Sequence, residues 1–139
     1  MAATPATQGL SAYLTVRDGA AAIRFYCEAL GAELRLRQMA QDGKRILHAE
    51  LALNGSILML ADEFPELTRA AAPRADEPPA VSITMNLAQP ASVDRLTASA
   101  VAHGAEIEIG PIDAFWGARF AAFRDPFGHR WMLNAARLA

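Results

Sequence analysis

The 139-residue chain is 53% hydrophobic and 20% charged, with a formal net charge of −2; this fits one globular domain with its own core and excludes a disordered chain. No stripe of Lys and Arg offers a nucleic acid its electrostatic footing, and no apolar run approaches the roughly 18 residues that span a bilayer. The single cysteine, Cys27, allows no internal disulfide, and the opening "MAATPATQGL" has neither the basic nor the apolar stretch of a secretory signal, so a cytoplasmic protein is expected.

In chain order, "SAYLTV" (11–16) predicts a strand whose alternation sends Ala12, Leu14 and Val16 to one face and Ser11, Tyr13 and Thr15 to the other. The segment "DGAAAIRFYCEALG" predicts a helix, with Asp18 as its N-cap and Gly31 as its terminator. Ile23, Cys27 and Leu30 recur at i, i+4 and i+7 as a buried stripe with Tyr26 beside it, which makes Cys27 core rather than nucleophile. Strands follow at about 32–39, 45–53 and 56–62, separated by a turn at Gln41-Asp42-Gly43 and by the hairpin signal Asn54-Gly55. In "ILHAELAL", Leu47, Ala49, Leu51 and Leu53 form the apolar side, turning His48 and Glu50 the other way. Residues 63–80, rich in Pro, Ala and charge, read as an exposed linker. Then come the strand "VSITMNL" (81–87), a helix near 91–103 opened by Pro90 and closed by Gly104, and strands near 105–112, 118–124 and 129–135, the last two joined by "DPFG".

The second half repeats the first. An offset of 73 residues sets Gly31-Ala32-Glu33 on Gly104-Ala105-Glu106, Gly55 on Gly128, and Met59-Leu60 on Met132-Leu133. The chain therefore reads βαβββ, linker, βαβββ. That order, with "YLTVRDGAAAIRFYCEALGAE", "HAELALNGSILML", "FWGARF" and "DPFGHRWMLN" in it, resembles the vicinal oxygen chelate superfamily (glyoxalase I, bleomycin-resistance proteins, extradiol dioxygenases) and more narrowly its PhnB-like branch. The resemblance implies an α+β fold in which two βαβββ repeats form an open eight-stranded sheet around a concave cavity, with the helices outside. One domain would span 1–139, with repeat one at 10–62, the linker at 63–80 and repeat two at 81–136. It also implies a homodimer.

Metal-dependent members of that superfamily carry a His or Glu ligand on the first and last strand of each repeat. Those places fall here on Ser11, Met59, Ser82 and Met132. A hydroxyl or a thioether is a poor substitute for imidazole or carboxylate around hard or borderline divalent ions, so no metal and no cofactor is expected. His129 shares parity with Trp131 and Leu133 and reads as a rim histidine on the helix side. His103 at a helix end reads as structural.

Parity places Tyr13, His48, Glu50, Ser82, Thr84 and Asn86 on the cavity side, bounded by Met59 and Met132. His48 and Glu50, two apart on one strand, form either a proton-handling pair or a structural polar pair. Phe115 and Trp116 are placed to close over a planar ligand, to pack a loop corner or to make a dimer contact. Arg119 is suited to a ligand's carboxylate or phosphate, or to a bridge with Asp113 or Asp125. Two functions follow. One is a metal-independent protein that binds, and sequesters, a small molecule; the other is a metal-independent isomerase or lyase using His48 and Glu50 for acid–base catalysis.

Overall fold

The computed structural model describes residues 9–137; the segment 1–8, on which the signal-peptide reading chiefly rests, lies outside the described residues. The elements follow the predicted order: β1 (Tyr13–Val16), α1 (Gly19–Leu30), β2 (Glu33–Met39), β3 (Ile46–Leu53), β4 (Ser56–Asp62), β5 (Ser82–Asn86), α2 (Pro90–Ala102), β6 (Glu106–Ala114), β7 (Ala118–Arg124) and β8 (Arg130–Ala136). The strands form two four-stranded mixed sheets of the same topology, β1-β4-β3-β2 and β5-β8-β7-β6. In each, the first strand runs parallel to the fourth and the other pairs are antiparallel. The chain divides into two compact units, one ending at Pro73 and one beginning at Arg74. The division falls inside the predicted linker, and each unit holds one βαβββ repeat.

In the first unit, Asp18 caps α1 by accepting from the Ala21 N–H at 3.1 Å, and Gly31 closes the helix in the left-handed conformation. The buried stripe is Gly19, Ala22, Ile23, Tyr26, Ala29 and Leu30, with Phe25 alongside. Tyr26 is thus its centre, and Cys27, predicted as core, sits half-buried at the stripe's margin. Leu14, Val16, Ala49, Leu51, Leu58 and Leu60 are buried on the sheet face that α1 covers. The β3–β4 turn needs positive φ at both central residues, and Asn54 (φ 50°) and Gly55 (φ 80°) supply it.

Asp62, at the end of β4, locks this unit together. Its buried carboxylate accepts from the Gly19 N–H at 2.9 Å and from the Ile46 N–H at 2.6 Å, tying the start of α1 to the start of β3. A side chain at Gly19 would meet Asp62 Oδ2 at 2.6 Å, so close approach of backbone to carboxylate requires glycine there.

Two expectations need correction. Leu47 is 42% exposed rather than on the apolar side, because Gln38 pairs with His48 while Met39 pairs with Ile46. That bulge leaves Leu47 unpaired and reverses the parity before it. The linker is not exposed throughout: Phe64 and Ala72 are buried. Arg45 holds that segment, stacking over Phe64 at 4.2 Å and pairing with Asp42 and Glu66 at 2.7 Å each.

The second unit uses a different lock. Buried Asp125 accepts from Trp131 Nε1 at 2.9 Å and from the backbone N–H groups of Phe127 and His129 at 2.9 and 3.0 Å. This shapes the DPFG turn that joins β7 and β8, so Gly55 and Gly128 occupy corresponding hairpins. Helix α2 begins with Pro90 and ends at Ala102, where His103 Nδ1 bonds the Ser99 carbonyl at 2.7 Å. His103 is a structural cap, as expected.

Candidate functional site

The face of the first sheet away from α1 carries a row formed by Tyr13, Met59, Glu50 and Leu36, each opposite the next across β1, β4, β3 and β2. His48 lies two residues before Glu50 on β3, and same-parity side chains share a face. The predicted pair is made: His48 Nε2 lies 2.9 Å from Glu50 Oε2. A third member joins it, with the Tyr13 hydroxyl 2.9 Å from His48 Nδ1 and the two rings stacked at 5.5 Å between centroids. Tyr13 was expected on this face, but its bond to His48 was not; it spans β4 to reach β3. The strand order β1-β4-β3 was the signal that places Tyr13 within reach.

Exposure falls steadily inward along this relay: Tyr13 is 50% exposed, the His48 side chain 23% and the Glu50 side chain 10%. The inner end is not fully satisfied. Glu50 Oε1 is buried and has no hydrogen-bond partner among the described residues. Burial, and secondly the charge of Glu50, push the Tyr13 hydroxyl above the ordinary tyrosine range, so it remains a protonated phenol. Burial likewise pushes the Cys27 thiol up, which opposes a nucleophilic role.

The corresponding face of the second sheet has the same register and different chemistry. Thr84 pairs with Met132 and Met132 with Ala122, as Tyr13 pairs with Met59 and Met59 with Glu50. Ala122 thus stands where Glu50 does, and Phe120, two residues earlier, stands where His48 does. The offset is 73 residues from Met59 to Met132, 72 from Glu50 to Ala122 and 71 from Tyr13 to Thr84. Met132 packs on Ala114, Phe120 and Ala122. Trp116 meets Phe120 edge-on at 5.1 Å and donates from Nε1 to Asn134 Oδ1 at 2.9 Å. Phe115 stands almost fully exposed against Trp116. Thr84 and Asn86 are exposed, and the half-buried Ser82 Oγ accepts from Arg130 at 2.9 Å.

Arg119 does not belong to this face. It pairs bidentately with Asp94 on α2 at 2.9 Å and with Asp113 at 3.2 Å, which realises the bridging alternative and ties helix to sheet. His129 is held through its backbone at the Asp125 turn.

The residues at the superfamily's metal positions do not fit a divalent ion. Ser11 is exposed ahead of β1, Met59 and Met132 offer only thioethers, and the Ser82 hydroxyl is engaged by the Arg130 guanidinium, a cation that repels another. Among the described residues, no three His, Cys, Asp or Glu side chains gather in one place.

Similarity to known proteins agrees with the topology. Residues 9–133 match the model of the Glyoxalase/Bleomycin resistance protein/Dioxygenase superfamily. Protein Rv0887c of Mycobacterium tuberculosis is 35% identical over 125 residues, covering 90% of this chain and 72% of the relative. Protein PA1353 from Pseudomonas aeruginosa superposes with a TM-score of 0.74 at 25% identity, covering 94% of this chain and 98% of the other. The PhnB protein of Bacillus cereus does so with a TM-score of 0.72 at 19% identity, over 93% and 100%, a likeness of fold. With its paired βαβββ repeats and a model match over nearly its whole length, the chain belongs to the glyoxalase/bleomycin resistance protein/dioxygenase superfamily.

Proposed function

We propose that this chain is a metal-independent small-molecule-binding protein of its superfamily, taking its ligand at the open face of the first sheet through Tyr13, His48 and Glu50. The carrying observation is the relay that leads from a buried carboxylate with one unpartnered oxygen to a half-exposed phenol. A buried carboxylate left partly unsatisfied weakens a fold by about 1–3 kcal/mol or more, and such groups concentrate where their charge is used. Asp62 and Asp125 show the contrast, since each accepts on both of its oxygens. Taken by itself, the second unit carries a separate apolar face at Phe115, Trp116 and Met132, with Ser82, Thr84 and Asn86 at its polar margin. Native mass spectrometry of protein purified in chelator tests the reading. A co-purified compound is expected, and the same compound should be lost from His48→Ala. Binding that appears only after a divalent ion is restored would contradict it.

One observation favours a second reading. Hydrogen bonds run unbroken from the Tyr13 hydroxyl through both nitrogens of His48 to Glu50, the arrangement by which a proton-handling imidazole is oriented. A metal-independent isomerase or lyase would use this pair for acid–base catalysis; turnover of the co-purified compound, abolished in His48→Ala, would select this reading over sequestration.

We further propose that the chain acts as one domain, as a homodimer and in the cytoplasm. The edge strands β2 and β6 carry exposed Leu34, Met39, Ile107, Ile109 and Ile112, which suit a second copy. Cys27, the only cysteine, suits a reducing compartment. Among the described residues, no helix is long and apolar enough to cross a membrane.

A further inference from the structure

We propose that the relay is an acceptor subsite for a cationic nitrogen, a ligand's ammonium or amidinium group held at the Tyr13 hydroxyl with the Glu50 carboxylate as its countercharge. This deepens the small-molecule-binding reading and rests on it.

The polarity of the site follows from the hydrogen-bond chain. Glu50 is buried at 7% exposure, its Oε2 is bonded to His48 Nε2, and its Oε1 has no partner. A carboxylate only accepts, so a neutral His48 carries its proton on Nε2. Nδ1 is then an acceptor and the Tyr13 O–H must donate to it. What Tyr13 presents outward is therefore a lone pair, which prefers a donor. Of the groups on this face, Met59 and Ala61 on β4 and Leu36 and Gln38 on β2 are uncharged, and Tyr13 and Glu50 are the titratable groups facing His48. Among the described residues no Lys or Arg is paired with Glu50, so no fixed cation compensates its charge. The carboxylate's field already reaches the Tyr13 hydroxyl, because the Glu50 charge is one cause of that phenol's raised pKa. An anionic head group would meet a lone pair and a like charge; an ammonium meets an acceptor and an opposite charge.

The test uses three probes that share a ring: benzylammonium, benzyl alcohol and benzoate. Binding is read from the Tyr13 and His48 ring resonances by NMR. Benzylammonium should bind best of the three. Glu50→Gln and Tyr13→Phe should each cost about tenfold in affinity, the loss of one charge-assisted contact. Tyr13→Phe keeps the ring and serves if the Glu50 variant folds poorly. Benzoate binding more tightly than benzylammonium, or a cation affinity unchanged in both variants, would overturn the assignment while leaving small-molecule binding intact. Silence of these resonances toward all three probes would also overturn it, and the native mass spectrum then decides the broader reading separately.

Discussion

The two sheets differ on the faces turned away from their helices, although their strands pair in the same order and corresponding residues stand in the same rows. Tyr13, His48 and Glu50 in the first unit become Thr84, Phe120 and Ala122 in the second. One face is a polar relay with a carboxylate oxygen left over; the other is packed by Phe120, Ala122 and Met132 with Trp116 at its margin. On the helix side the repeats remain alike, with Leu58 and Leu60 answering Trp131 and Leu133 in burial. Core packing constrains one face of a duplicated sheet, and the other is free to take on chemistry. In this chain only the first copy carries a Tyr-His-Glu relay there.

The largest expected effect separates a structural carboxylate from the one in the relay. Asp62→Ala strips two buried backbone N–H groups of a charged partner and should lower stability by about 4 kcal/mol, read from chemical denaturation. Glu50→Gln, which removes an incompletely satisfied charge, should change stability far less; equal losses in the two variants would erase the distinction. Next, Phe120→Ala should lower stability by about 3 kcal/mol through lost packing. Its counterpart His48→Ala should cost less, about 1–2 kcal/mol from the Glu50 carboxylate left without its partner, while abolishing binding. If His48→Ala is as destabilising as Phe120→Ala, the relay is a structural pair.

The smallest effect is a titration. Tyr13 should ionise above the ordinary phenol value, measured as the difference in tyrosinate absorbance between the wild type and Tyr13→Phe. Because its folded pKa is raised, its contribution to stability is fully present below about pH 10 and fades as pH rises through the folded value. Glu50→Gln should lower that pKa only partly, since burial is the larger cause and the Glu50 charge the smaller. Ionisation at or below the ordinary value would mean that neither burial nor the carboxylate acts on the hydroxyl.

Much of this was legible from residues alone. The Asp18 cap, the Gly31 stop, the Asn54-Gly55 turn and the 73-residue repeat each rest on local chemistry, and each element formed where it was expected. Alternation also set His48 and Glu50 on one face. What escaped is what depends on register or on distant partners. The bulge at Leu47 and the burial of Phe64 beneath Arg45 are of that kind. So is the occupation of Arg119 by Asp94, which lies on a helix a full strand and turn earlier in the chain. The Tyr13–His48 bond needed the strand order, which no periodicity reveals.

The most direct measurement follows the two methionines that occupy matching rows. With 13C-methyl methionine, Met59 reports the first open face and Met132 the second. The co-purified compound or, without one, benzylammonium is added to protein held in chelator. The Met59 methyl is expected to shift, and the shift should disappear in His48→Ala. A shift at Met132 with Met59 unmoved, or a response that requires a divalent ion, would contradict a metal-independent site built on Tyr13, His48 and Glu50.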